Sequence, residues 1–342
     1  MLIREEIEQR EYDILSPYAT HARESKGRAV WEEPCDIRTI FQRDRDRIIH
    51  SKSFRRLKNK TQVFLAPEDD HYRTRLTHTL EVSQIARTVS KALALNEDLT
   101  EAIALGHDLG HTPYGHSGEK VLDEVLREAG LPGFQHAEQS LRIVDLLERD
   151  GRGLNLSYEV RDGILMHGVP TVPETPEGRV VRLCDKIAYI NHDIDDAIRA
   201  KVLTEEDIPD QYADVLGHSV KIRLNTLVHD LIMNSMDKND ITLSDEVGAA
   251  MMGLRAFMFD RVYTSPTVKR EEQKAQEMLR VLYGYYLDHL ERIPAVYRGL
   301  LDKGERKEQV VCDYIAGMTD PYAVQTYEEL FVPQGWRESK VY

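Results

Sequence analysis

Several features that mark large classes of protein are scarce in this chain. Its 342 residues include three cysteines, Cys35, Cys184 and Cys312, which are widely separated, odd in number and without a Cys-x-x-Cys spacing. That speaks against a disulfide-stapled scaffold and for a reducing, cytoplasmic setting. No stretch approaches the roughly 18 consecutive apolar residues of a membrane span. Met1-Leu2-Ile3-Arg4-Glu5-Glu6 runs straight into charge, so no signal peptide is expected. An excess of cations is missing too: the net charge is -14 and the pI about 5.4, which argues against a general binder of nucleic acid or anionic membrane. Alternating β-like runs are few, and no repeat, low-complexity tract or Gly-rich linker divides the chain. Apolar residues make up 41% of the sequence, enough for a core, and their spacing is mostly helical. The expected fold class is all-α.

What the chain has in abundance is site chemistry within one short stretch. Gly106-His107-Asp108-Leu109-Gly110-His111-Thr112-Pro113-Tyr114-Gly115-His116-Ser117-Gly118-Glu119 packs three histidines and two carboxylates among glycines and a proline that make the backbone turn. Glu101–Gly106 reads as a short apolar helix with Thr100 as its N-cap, which places His107 and Asp108 near its C-terminal end. The loop Gly110–Gly115 returns His111 and His116 toward the same space. Ser117 is the expected cap of the next helix, whose Val121, Leu122, Val125 and Leu126 repeat at helical spacing before Gly130 and Pro132.

Ahead of this stretch, a helix is expected over about Ile37–Phe54, and its alternating charges Gln42–Arg47, with Asp44 and Asp46, read as a solvated face. Arg55, Arg56, Lys58 and Lys60 then place four cations in six residues before a short β-like run through Val63 and Phe64. On so acidic a chain they need an anionic partner: a polyphosphate, a nucleic-acid backbone or a neighbouring acidic face. The loop Pro67–His71 leads to Arg73-Thr74-Arg75-Leu76-Thr77-His78 and a helix with Val82, Ile85, Ala86, Val89 and Leu93 on one stripe. His78 begins that helix and, taken alone, reads as a capping or surface histidine; the positive end of the dipole favours its neutral form, the form a metal requires.

Beyond the stretch, helices are expected over about His136–Arg149, Tyr158–His167 and Glu177–Arg199. His167 alone reads as a structural charge at a helix C-terminus. Along the last of these helices, Arg182, Asp185, Tyr189, His192, Asp193 and Asp196 form a polar stripe. Asp185, set between Cys184 and Ile187, reads as a partly buried carboxylate that needs a cation or donors. Further helices are expected at about Val220–Met236, Asp245–Tyr263, Arg270–Arg292 and Lys307–Ala316, with Thr204-x-x-Asp207 resembling a capping box.

Taken together, His78, His107, Asp108 and Asp185 are two imidazoles and two carboxylates on three helices that can pack side by side. A mixed N/O set without thiolates suits a divalent ion such as Mn, Mg, Fe, Co, Ni or Zn and leaves positions open for water and substrate. Hydrolysis of a phosphate ester is the natural chemistry. The order His78 … His107-Asp108 … Asp185 resembles the HD superfamily of metal-dependent phosphohydrolases. Phe54-Arg55-Arg56-Leu57, Lys60-Thr61-Gln62-Val63-Phe64, Arg73–His78 and His107–Glu119 more closely resemble bacterial deoxyguanosinetriphosphate triphosphohydrolases and their dGTPase-like relatives. The similarity runs from about Tyr18 to Ala197, and more loosely through residues 223–228 and 254–259.

The resemblance implies one α-helical domain over 1–342, with an N-terminal arm and helix (1–54), an HD metal-phosphohydrolase core (55–200) and a helical C-terminal region (201–342) that makes oligomer contacts. It implies a metal held by His78, His107, Asp108 and Asp185. His116 would be the acid/base group, oriented by Glu119, with His111 contacting the phosphates. Arg75, Lys186 and, less specifically, Arg56 and Lys60 would hold the triphosphate; His136 would match a further family histidine, and Tyr189 and Asp193 would face the sugar. The reaction implied is hydrolysis of dGTP or several dNTPs to deoxynucleoside and intact tripolyphosphate. The implied assembly is a homo-oligomer, hexamer or smaller, with a nucleotide or single-stranded DNA as regulator. Another HD phosphohydrolase and a non-catalytic nucleotide or single-stranded-DNA binder stand as alternatives, separable by product analysis.

Overall fold

The computed structural model of the chain describes residues 2–62, 73–263 and 266–333. The β-like run through Val63 and Phe64 and the loop Pro67–His71 lie outside the described residues. Among those described, helices joined by turns account for the architecture, and β-pairing is confined to the isolated bridges Arg28–Ser157 and Thr61–Thr74. The fold is all-α. Among the described residues no helix is long and apolar enough to cross a membrane.

The first half of the chain forms α1 (Ile3–Ile14), α2 (Ile40–Ile49), α3 (Lys52–Arg56), α4 (Arg75–Ala92), α5 (Glu97–Gly106), α6 (Gly115–Glu128), α7 (His136–Arg142) and the single turn α8 (Glu148–Gly151). It continues with α9 (Tyr158–Met166) and the 24-residue α10 (Pro176–Arg199). The second half adds α11 (Asp210–Leu216), α12 (Val220–Ser235), α13 (Asp245–Met258), α14 (Pro266–Asp288), α15 (Ala295–Arg298), α16 (Lys307–Ala316) and α17 (Asp320–Phe331). Neither α11 nor α17 was expected from the sequence.

Capping side chains set many of these boundaries, and several differ from expectation. Asn96, not Thr100, caps α5 by accepting the Leu99 N–H at 3.2 Å; Thr100 lies inside the helix and returns its hydroxyl to the Asn96 carbonyl. The expected helix Ile37–Phe54 is two helices. Thr39 and Gln42 close a capping box at the start of α2, and Ser51 accepts from the Phe54 N–H to restart the chain as α3. The expected helix His136–Arg149 stops at Arg142. It passes through a π-helical turn at Ile143–Leu147 and ends at left-handed Arg149 and Asp150.

Among the described residues two hydrophobic cores result. The first joins α2, α4, α5, α9 and α10 with α11–α13: Val82, Ile85, Ala86 and Val89 of α4 meet Leu99, Ala102 and Ile103 of α5 and Val180, Cys184, Ile187 and Ala188 of α10. The second is built by α6, α14 and α16 with Ala323 of α17, where Val121, Leu122, Val125 and Leu126 face Leu279, Leu282, Val311 and Ile315. Fully burying a side chain of this size stabilises the fold by about 1.5–3 kcal/mol. The His107–Tyr114 segment is one of the stretches by which the chain passes between the cores; others lie between Phe134 and Ile143 and between Val262 and Leu279.

Buried charge ties the N-terminal arm to the first core. Asp44 is not a solvated surface group: it is fully buried, pairs with Arg28 and accepts the Ser157 N–H at 2.8 Å. Only Asp46 behaves as a surface charge, paired to Arg38 at 2.6 Å. Charge alternation gave no sign of the difference, because the partners of Asp44 come from outside its helix.

Candidate metal centre and active site

Thr74 caps α4 by accepting the Thr77 N–H, which fixes the helix start and turns His78 inward one turn later. His107 and Asp108 follow directly on the C-terminal end of α5. Asp185 comes from the middle of α10, where Cys184 and Ile187 are buried against the core. Three helices that pack for apolar reasons thus bring four polar groups to one point.

The atoms converge closely. His78 Nε2 lies 3.1 Å from Asp185 Oδ1 and 3.9 Å from Asp108 Oδ2; His107 Nε2 lies 3.4 Å from Asp108 Oδ1 and 3.6 Å from Asp185 Oδ1. Ligand atoms sharing one first-row ion at about 2.1 Å stand roughly 3.0–3.5 Å apart, so the spacing suits a common cation. The donor chemistry agrees. His107 Nδ1 lies 2.7 Å from the Ala104 carbonyl, which can only accept, so the proton sits on Nδ1 and the buried, otherwise unpartnered Nε2 turns its lone pair toward two carboxylates. Lone pair against carboxylate is repulsive unless a cation lies between. Burial would lower the pKa of His107, yet Asp108 and Asp185 push it up to about 9, so positive charge between the ring and the carboxylates is favoured. Both carboxylates are held well below their usual range. Burial opposes this, and is outweighed by His107, His111 and Arg75 at Asp108 and by His107 and His78 at Asp185. The residues fit a divalent metal.

Next to this centre lies a second cluster on the loop and α6. A side chain at Gly110 would strike the Ser140 nitrogen and the His136 carbonyl, so only glycine lets the loop press onto α7. Ser140 locks that contact, donating to the His107 carbonyl at 2.6 Å and accepting from the Gly110 N–H at 2.8 Å. Ser117 does not cap α6. The N-cap is Tyr114, a non-glycine residue at φ +61°, and Ser117 sits within the helix. That strained turn is retained because Asp320 of α17 accepts the Tyr114 N–H at 3.0 Å while Thr112 donates to the Gly115 carbonyl at 2.8 Å.

In this frame His116 is exposed, and its Nδ1 lies 2.9 Å from Glu119 Oε2. Glu119 also accepts the backbone N–H of His136 and lies 2.9 Å from its Nδ1. Burial works against the ionised Glu119, but hydrogen bonds from His116 and His136 outweigh it and keep the carboxylate charged. His111 stacks on His136 with ring centroids 4.0 Å apart and reaches Asp108 Oδ1 with Nε2 at 3.2 Å. Burial, Arg75 and His136 hold His111 well below the usual imidazole range, so it is neutral.

The expected phosphate-binding cations are placed unequally. Arg75 is buried, donates from Nη1 to Asp108 Oδ2 at 2.9 Å and has its Nε unpartnered. Lys186 sits half-buried next to Asp185; burial and nearby Arg182 lower its pKa. Lys60 is elsewhere. Its buried ammonium donates to the His111 and Ala316 carbonyls, and burial brings its pKa down to about 7. Arg56 lies against Tyr297 and Gly317 at the second core. Tyr189 remains a phenol, pushed up to about 12 by burial, with Arg255 of α13 at its hydroxyl. Asp193, one turn on, is buried and held toward its protonated form by burial and Asp196.

Two histidines near the site escaped the sequence reading. His167 is not a helix-end charge: burial and His107 lower it to about 4, its Nδ1 meets the Ile164 carbonyl, and its ring stands edge-on to His107 at 5.0 Å. His192, taken as one member of a wet stripe, is buried with its Nδ1 3.4 Å from Nδ1 of His78. Both were visible as histidines on helices flanking the site; the burial that gives them meaning was not.

Known families and proteins resemble this chain over most of its length. Residues 75–190 match the family described as HD domain, and residues 241–329 match the phosphohydrolase-associated domain. A protein of Caldanaerobacter subterraneus subsp. tengcongensis is 56% identical over 342 residues, covering 100% of this chain and 99% of its own. Relatives from Desulfatibacillum aliphaticivorans (49% identical, 97% of this chain and 99% of theirs) and Clostridium perfringens (50%, 98% and 99%) carry the same description, deoxyguanosinetriphosphate triphosphohydrolase-like protein.

Proposed function

The chain belongs to the deoxyguanosinetriphosphate triphosphohydrolase-like family of HD-domain hydrolases, and we propose that it hydrolyses deoxynucleoside triphosphates to deoxynucleoside and intact tripolyphosphate. The observation that carries this reading is the Glu119-clamped His116 beside the four-group centre. His78, His107, Asp108 and Asp185 are the residues that would hold a divalent metal. Such an ion supplies Lewis acidity, polarising a phosphoryl oxygen and lowering the pKa of water.

The chain's own groups do the rest. A triphosphate brings about four negative charges, which Arg75 and Lys186 offset through hydrogen bonds to phosphate oxygens. Arg75 has its unpartnered Nε for this purpose. Glu119 accepts from His116 Nδ1 and so leaves Nε2 as the nitrogen that handles protons. Water adds to the α-phosphorus and gives up its proton to solvent, the bond from that phosphorus to the 5′-oxygen breaks, and His116, having taken up a proton on Nε2 from solvent, delivers it to the departing oxygen. His111, with Nε2 on Asp108, and His136, on Glu119, line the space between the two clusters. Tyr189 and Asp193 face the sugar. Lys60 and Arg56 support the site from behind, where the structure pairs them with backbone and with Tyr297. Assembly into a homo-oligomer, hexamer or smaller, belongs to the same reading, since Ile222, Met233, Met252 and Phe259 leave apolar surface exposed on the C-terminal region.

The test is incubation of the metal-replete protein with each dNTP and with GTP, with and without a dNTP mixture, resolving the products. Deoxynucleoside plus intact tripolyphosphate is expected, and the rates rank the bases. Monophosphate products would transfer the assignment to another HD hydrolase, and absence of turnover under every metal and mixture would favour a nucleotide binder.

A further inference from the structure

The two imidazoles of the centre are held by different means. His107 directs Nδ1 to a backbone carbonyl, which fixes its tautomer without help from another side chain. His78 has no such carbonyl. Its Nδ1 lies 3.4 Å from Nδ1 of His192, two turns along α10 from Asp185, and the rings meet edge to face at 5.6 Å. Two ring nitrogens facing one another share one proton, and that contact alone leaves open which ring carries it.

A third residue removes the ambiguity. His192 Nε2 lies 3.2 Å from Glu81 Oε2. Glu81 is itself paired with Arg73, whose Nε is 3.2 Å from the same oxygen and whose Nη1 grips Asp195 and Asp196 at 2.8 and 2.9 Å. A carboxylate paired with an arginine only accepts. The His192 proton is therefore drawn to Nε2, and its Nδ1 keeps a lone pair. The proton between the rings then belongs to His78 Nδ1, and His78 Nε2 presents its lone pair to Asp185 and Asp108.

We propose that Glu81 and His192 are positioning residues that set the His78 tautomer through a one-way chain, Arg73–Glu81–His192–His78, and thereby hold its Nε2 ready for a divalent metal. Imidazoles that bind metals commonly donate their other N–H to an oriented acceptor. Here that acceptor is another imidazole, itself oriented by a carboxylate. The inference rests on the reading of His78 as a metal ligand.

The test is Mn²⁺ affinity of the full chain, purified metal-free and titrated against a chromogenic chelator. His192→Phe, which keeps a ring but no acceptor, is expected to lose about 10–100-fold in affinity. His192→Gln, whose carbonyl accepts from His78 while its amide donates to Glu81, is expected to stay within about threefold of the parent. The two metal-free variants should melt alike, so that the loss is not one of folding. Wild-type affinity in His192→Phe, or an equal loss in both variants, overturns the proposal. His78→Ala tests the premise: unchanged Mn²⁺ affinity there would remove His78 from the ligand set and the chain's purpose with it. Side-chain ¹⁵N spectra of the unaltered protein give an independent readout, expected to show His192 protonated at Nε2 and His78 at Nδ1. The opposite tautomers would overturn the proposal without any substitution.

Discussion

The centre formed by His78, His107, Asp108 and Asp185 stands on α4, α5 and α10, three helices of the first core, whereas His116 and Glu119 stand on α6, whose apolar face belongs to the second. The first cluster is buried apart from Asp185, and its groups are set by contacts within those helices. The second is open to solvent at His116, and its approach depends on a loop clipped from outside, by Lys60 beneath the His111 carbonyl and by Asp320 at the Tyr114 N–H. Asp320 accepts from the Thr61 N–H and hydroxyl as well, at 2.9 and 2.8 Å. On the proposed reading, metal binding and proton handling are therefore assigned to separately packed parts of the molecule. The residues matching the HD domain run through α6, so the family boundary in sequence and the packing boundary in space do not coincide.

That contrast can be broken from either side. Removing a member of the first cluster, by His107→Ala or Asp108→Ala, should abolish bound metal and turnover together. The expected rate loss is at least ~10³-fold, since the ion supplies several kcal/mol of transition-state stabilisation; elemental analysis alongside product assay checks both. His116→Ala should keep the metal and lose ~10²–10⁴-fold in turnover. Normal hydrolysis by that variant would remove His116 as the proton carrier.

Acidity sharpens the comparison. His107 must give up its proton to bind a metal, and its pKa in the metal-free protein is about 9. Each unit of pH below that value should weaken apparent metal affinity by up to ~10-fold. Titrations between pH 6 and 8 that show no dependence would rule out this competition. A smaller effect is expected at the clip: Asp320→Ala should cost about 2–4 kcal/mol of stability, as a buried charged acceptor is lost. Turnover should fall ~10-fold while Mn²⁺ affinity changes less than about twofold, because only the loop carrying the second cluster is misplaced. The smallest change concerns the substrate. Lys186→Ala should raise KM several-fold, within the ~10-fold that one charge-assisted hydrogen bond is worth, and leave metal content intact. Equal metal loss would make Lys186 part of the centre's structure.

How much was legible in the sequence follows the range of the forces involved. The stripes of α4, α6 and α10 were visible because a helix face repeats every three or four residues, and the sequence-expected centre residues do meet within 3.1–3.9 Å. The pairing of His116 with Glu119 was implied by the resemblance, and their i, i+3 spacing on α6 does bring them to 2.9 Å. What escaped depended on distant partners. Asp44 is paired by Arg28 and Ser157, from two other parts of the chain, and so reads as surface in its own helix. His192 looked wet until Glu81 and His78 closed over it. Lys60, one of four cations in a row, gave no sign that its ammonium is taken up by the carbonyls of His111 and Ala316, the second 256 residues away.

The clip at Asp320 also bears on how this protein would lose activity on heating. Its carboxylate is at the first turn of α17, which gives the second core the single fully buried apolar side chain Ala323 among its described residues, and elements with few buried apolar contacts open at lower free energy than core elements. Fraying there would release the Tyr114 turn while the first core stays intact. Heat inactivation should then precede global melting and be reversible at first, with protease cuts within α17 appearing as turnover falls and before Mn²⁺ is lost.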